Sequence, residues 1–111
     1  MNTFNVSHNN FSGTVPTAFS AWGTSILLFD VSVNSLTGTL PRAFLNWTML
    51  SNFIARYNQL SGTLPPDYST MEAVSFFDVN TNVFTGTLPE VYQQLHKMDF
   101  FSCCNTLQRT S

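Results

Sequence analysis

The sequence predicts an α/β solenoid: a short arc with a concave parallel β-sheet and a convex side of irregular and short-helical segments. Two observations carry that expectation. The first is a near-identical stretch met four times: Phe11-Ser12-Gly13-Thr14-Val15-Pro16, Leu36-Thr37-Gly38-Thr39-Leu40-Pro41, Leu60-Ser61-Gly62-Thr63-Leu64-Pro65 and Phe84-Thr85-Gly86-Thr87-Leu88-Pro89. Its glycines are separated by 25, 24 and 24 residues, a period that marks stacked units, each burying its apolar side against its neighbours. The second is a run of apolar residues alternating in period two ahead of each glycine, as in a strand with one face turned inward.

Each position in the period has a physical role. Seven and nine residues before the glycines stand Val6 and Phe4, Val31 and Phe29, Ala55 and Phe53, Val79 and Phe77. These pairs predict short core strands, stacked in parallel about 4.8 Å apart. Asn9, Asn34, Asn58 and Asn82 stand four residues before the glycines. An inward amide there can bond the turn's backbone groups, including those of a neighbouring coil. Gly13, Gly38, Gly62 and Gly86 supply a backbone conformation closed to other residues, or room for close approach. The proline fixes φ and keeps its segment from donating to a ladder, and the threonine before it reads as connection toward the back. Farther on, Phe19 and Trp22, Phe44 and Trp47, Tyr68 and Met71, Tyr92 and Leu95 are spaced by three, as on one face of a short helical turn covering the core. The one extra residue of the first spacing falls in Gly23-Thr24-Ser25, a connecting loop where an insertion costs little.

The units run over about 1–25, 26–49, 50–73 and 74–97, with 98–111 an incomplete fifth repeat or tail, all in one domain. Met98, Phe101 and Cys103 begin the fifth copy, but Thr106 stands where the asparagine belongs. Phe4, Val6, Phe11 and Val15 would have an open side. A fragment of a larger protein, marginal stability and self-association through uncapped ends are therefore expected.

Together these positions read L-x-x-L-x-L-x-x-N-x-L-x-G-x-x-P, the leucine-rich-repeat pattern. The L-x-G-T-L-P core with its asparagine resembles the plant-type subclass, found in receptor ectodomains and secreted inhibitors. The Gly62-to-Met71 stretch, with its aromatic at Tyr68, is most similar to surface antigens and proteophosphoglycans of kinetoplastid protists. The resemblance implies a secreted or cell-surface location, although no signal peptide or anchor is visible in these residues. It implies no catalytic residues.

Composition narrows the function classes. Charged residues make up 9% and the net charge is −2, which leaves no electrostatic footprint for nucleic acid. No apolar run approaches the roughly 20 residues of a membrane span. No nucleophile–base pair, phosphate loop or metal constellation stands out, so no enzyme and no cofactor is expected. His8 and His96 lack partners at ligand spacing. In the strand alternation Cys103 faces in and Cys104 out, so they point apart, and Cys104 is free or pairs beyond the chain.

The concave face is where a solenoid binds. Its outward files read Thr3, Leu28, Asn52, Phe76, Phe100; Asn5, Asp30, Ile54, Asp78, Ser102; Ser7, Ser32, Arg56, Asn80, Cys104; and His8, Val33, Tyr57, Thr81, Asn105. Leu28, Phe76 and Phe100, with Ile54 and Tyr57 nearby, would expose an apolar cluster of the kind that marks an interaction surface. The alternative is ordinary scattered surface residues, or a different register through Phe76-Phe77 and Phe100-Phe101. Asp30 and Asp78 share a file with Ile54 between them, and Arg56 is a ready ion-pair partner of small worth. Asn5-Val6-Ser7, Asn10-Phe11-Ser12 and Asn46-Trp47-Thr48 are N-glycosylation acceptors; Asn46 lies on the convex side, whereas a glycan on Asn5 would obstruct the concave face. The expected function is extracellular recognition of a protein or glycan partner, without catalysis; the alternative is an architectural spacer with no ligand of its own.

Overall fold

The computed structural model describes residues 2–63 and 73–84, and the backbone alone of 100–102. Five short strands pair in parallel to form the main sheet: β1 (Thr3–Asn5), β3 (Leu28–Asp30), β5 (Asn52–Ile54), β7 (Phe76–Asp78) and β8 (Phe100–Ser102). Thr3, Leu28, Asn52, Phe76 and Phe100 align across it, one per coil. The register therefore follows the sequence period. Phe77 rather than Phe76 faces the core, in line with the buried Phe29 and Phe53.

A second parallel sheet was not expected. β2 (Ser12–Thr14), β4 (Ser35–Gly38) and β6 (Gln59–Leu60) pair in that order. The Ser-Gly-Thr stretch is thus a strand rather than a connection. This sheet does not follow the repeat: Ser12 pairs with Ser35 and Thr37 with Gln59, offsets of 23 and 22 residues. Each strand is slipped by two residues from its repeat equivalent. A slip of two keeps every side chain on its own face, so the sheet tolerates it. Leu36 and Leu60 stay buried while Ser35, Thr37, Gln59 and Ser61 face outward.

On the convex side, 3-10 helices span Thr17–Ser25 and Arg42–Asn46. Pro16 and Pro41 precede them at φ −67, pre-set for the turn that follows. The extra residue lengthens the first helix, and Gly23 breaks it at φ 54, ψ −123. Phe44, Trp47, Phe29 and Phe53 form the middle of the core, Phe44 and Trp47 stacking at 3.9 Å. The Trp47 indole N–H donates to the Phe19 carbonyl at 3.1 Å, so its polar end stays paired in the interior.

The fourth outward file is not strand at all. His8, Val33, Tyr57 and Thr81 have φ between 57 and 60. This left-handed conformation is unusual for any residue with a side chain and an outlier for β-branched Val33 and Thr81. The strain persists because these residues also carry the coil-to-coil ladder: the N–H groups of His8, Val33 and Tyr57 donate to Ser32, Arg56 and Asn80 carbonyls at 2.9–3.1 Å.

The repeat asparagines join the coils. The Asn58 amide donates to Val31, Ala55 and Arg56 carbonyls at 3.0–3.2 Å, and its carbonyl accepts the Leu36 N–H at 3.1 Å. Asn82 does the same one coil on, taking the Leu60 N–H. Asn34 reaches Val6 and accepts from Phe11, whereas Asn9 bonds only within its own coil. At Gly38 and Gly62 an added Cβ would stand 2.9 and 2.8 Å from Thr14 Cγ2 and Thr39 Cγ2. Both roles weighed for these glycines coexist, since φ is also positive at +81 and +77. Gly86 lies outside the described residues, as do His96, Cys103 and Cys104.

Phe11 is 50% exposed and Phe4 and Val6 are half-buried. Val15, expected on an open side, instead joins the core at 4%.

A candidate recognition face

Strand alternation decides what the concave face can offer. In β3 and β5 the middle residue is buried and both flanking residues are half-exposed, so Leu28, Asp30, Asn52 and Ile54 look out from the core. Phe76 continues the first file. The apolar residues Leu28, Ile54 and Phe76 are half-buried rather than exposed, because neighbouring strands lie close enough for adjacent side chains to cover one another. The Phe100 side chain lies outside the described residues.

The second file differs more from expectation. Asp78, expected outward in the same file as Asp30, is 2% exposed. Its Oδ1 accepts the Asn80 N–H at 3.1 Å and its Oδ2 faces Arg56 Nη1 at 3.4 Å. The guanidinium closes over it, and such a pair supports a carboxylate that would be costly to bury alone. Ser32 is also buried, because its hydroxyl turns back to donate to Asp30 Oδ1 at 2.6 Å. The Ser32 N–H donates to the same oxygen at 3.0 Å. Asn5 and Ser7 repeat both bonds in the first coil, at 2.8 and 3.1 Å.

Arg56 is 48% exposed and held from below by Asp78. Tyr57, 53% exposed, stands beside it, with the guanidinium carbon 5.9 Å from the ring centroid. An anchored arginine next to an exposed tyrosine has the composition of an interface hot spot. The backbone at residue 57 is left-handed, which sequence patterning did not reveal.

Other surfaces were missed as well. Leu27, Met49 and Val83 are more exposed than Leu28, Ile54 or Phe76, and none stands out by type or spacing, whereas Phe11, expected to have an open side, is 50% exposed. Beside β1 an apolar cavity of about 400 Å³ is lined by Phe4, Val6, Phe11, Phe19 and Leu36 among others. Of the glycosylation acceptors, Asn10 and Asn46 are exposed; Asn5 is exposed with its carbonyl engaged by Ser7. Among the described residues no group of three His, Cys, Asp or Glu could hold a metal ion, and no helix is long and apolar enough to cross a membrane.

Comparison with known proteins bears on this geometry. The Leucine Rich Repeat family model matches residues 1–22. No curated protein matches the sequence. Among solved structures, a TDR receptor is similar over 96% of this chain and 18% of its own, at 25% identity and a TM-score of 0.90. The plant peptide hormone receptor RGFR1, solved in complex with RGF2, is similar over 96% and 17%, at 27% identity and 0.90. The ectodomain of the Arabidopsis receptor kinase HAESA, solved with an extended IDA peptide hormone, is similar over 96% and 17%, at 26% identity and 0.83. The fold is a short leucine-rich-repeat arc of the kind these plant receptor ectodomains contain, and the chain spans under a fifth of their lengths.

Proposed function

We propose that the chain is a recognition module that holds an extended segment of a partner protein against its concave face, without catalysis. The observation that carries this reading is the exposed Tyr57 beside Arg56, whose guanidinium is oriented by the buried Asp78. The half-buried Leu28, Ile54 and Phe76 supply apolar contact next to it. Complexes of RGFR1 and HAESA with peptide hormones support a peptide as the ligand class. A location outside the cell belongs to the same proposal, with Asn46 and Asn10 open to glycosylation there. So does self-association through the apolar cavity beside β1; a chain that sediments as a monomer at high concentration would remove it. The resemblance to kinetoplastid surface antigens rests on the repeat letters alone. A glycan ligand stays a variant of the same face, and an architectural spacer the competing reading.

Peptides selected from a random display library on the whole chain test the proposal. Their affinity should fall at least about tenfold when Tyr57→Ser and Phe76→Ser are combined, since interface anchors commonly contribute more than 1 kcal/mol each. Selected peptides that bind this folded variant undiminished would show that the concave face is not the binding surface.

A further inference from the structure

We infer that the concave face of the second coil is a subsite for a basic side chain, so that a bound segment places a lysine or arginine opposite Asp30. This rests on the concave-face reading and names the chemistry that the face selects. Among the described residues three charged groups belong to that face: Asp30, Arg56 and Asp78. Arg56 turns to Asp78, and Asp30 is left without an ion-pair partner. The unbalanced charge on the face is therefore negative and sits at one place.

Asp30 is also pre-organised. Ser32 N–H and Oγ both bond its Oδ1, at 3.0 and 2.6 Å, and Ser32 is itself 3% exposed. One carboxylate oxygen is fixed to a buried hydroxyl while Oδ2 is left for a partner. The equivalent positions differ in turn: Asn5 makes the same bonds but is neutral, Ile54 is apolar, and Asp78 is compensated by Arg56. Only the second coil presents an uncompensated carboxylate among these aligned positions. Its neighbours Leu28 and Ile54 are half-buried apolar groups, suited to the methylene stem of a lysine or arginine whose charged end reaches Oδ2. Fixing the carboxylate beforehand lowers the ordering cost of that contact.

Library selection on the wild-type chain and on Asp30→Asn tests the inference. The asparagine keeps the acceptor for Ser32, as Asn5 does for Ser7, so the variant retains its local bonds. Peptides selected on the wild type should be enriched in Lys and Arg over Asp and Glu, and the enrichment should vanish on Asp30→Asn. A selected basic peptide should bind the variant about twofold to fivefold more weakly, the range an exposed ion pair supplies. That difference should shrink at 1 M salt, where the screening length is about 3 Å. Equal composition on both chains, with Phe76→Ser still weakening binding, would overturn the subsite and leave the concave-face reading standing. Peptides indifferent to the combined Tyr57→Ser and Phe76→Ser variant would overturn both.

Discussion

The first and third coils follow the same repeat pattern but not the same structure. Leu60 is fully buried, while its counterpart Phe11 is half-exposed. Asn58 bonds two coils and is buried; Asn9 bonds one and is exposed. Phe53 has packed strands on both sides, whereas Phe4 lies in β1, which pairs with β3 alone among the described strands. A repeat residue's burial thus depends on the coils on both sides of it, as expected of a solenoid whose stability sums nearest-neighbour interfaces.

The largest test of that contrast is in the core. Phe53→Ala should destabilise by about 3–5 kcal/mol and Phe4→Ala by less than about half of that, read from urea midpoints. Similar losses would mean that burial by the far coil is not what matters. The asparagines come next. Asn58→Ala leaves the buried Leu36 N–H short of a partner, while the Val31, Ala55 and Arg56 carbonyls each keep another donor, and should cost about 1–3 kcal/mol. Asn9→Ala, in water and within one coil, should cost under about 1 kcal/mol.

Glycine sharpens the contrast further. Gly62→Ala meets Thr39 Cγ2 at 2.8 Å as well as the strain of φ +77, while Gly13→Ala meets nothing within 4 Å at φ +86. The backbone term alone is about 1–2 kcal/mol, so Gly62→Ala should exceed Gly13→Ala. Replacing Thr39 by serine should recover the excess only; full recovery, or none, would show that the close approach has been misjudged. The smallest effect concerns the left-handed column. Val33→Asn should stabilise by up to about 1 kcal/mol because asparagine tolerates that conformation. His8→Asn should change little, since histidine is already among the tolerant residues. Thermal midpoints of the two variants decide it.

Much of the candidate face's strand geometry was legible in the sequence. Leu28, Asp30, Ile54 and Phe76 fell in their files because alternation is local and the period aligns equivalent residues. Asp78 was misplaced because its burial depends on Arg56, a residue 22 positions away that folds over it. Tyr57 is exposed beside Arg56 as a left-handed corner instead of a strand residue.

The letters alone determined the repeat, the coil-to-coil alignment of the main sheet and the asparagines of the turns. All of these follow from side-chain period and from the backbone needs of glycine and proline, which are properties of short stretches. Only the tertiary structure decided the second sheet with its two-residue slip, the strained ladder at His8, Val33, Tyr57 and Thr81, and the pairing that hides Asp78 while leaving Asp30 open. Those depend on how one coil lies against the next. Hydrogen bonds and charges between residues more than twenty positions apart are settled by that stacking, and no single repeat contains it.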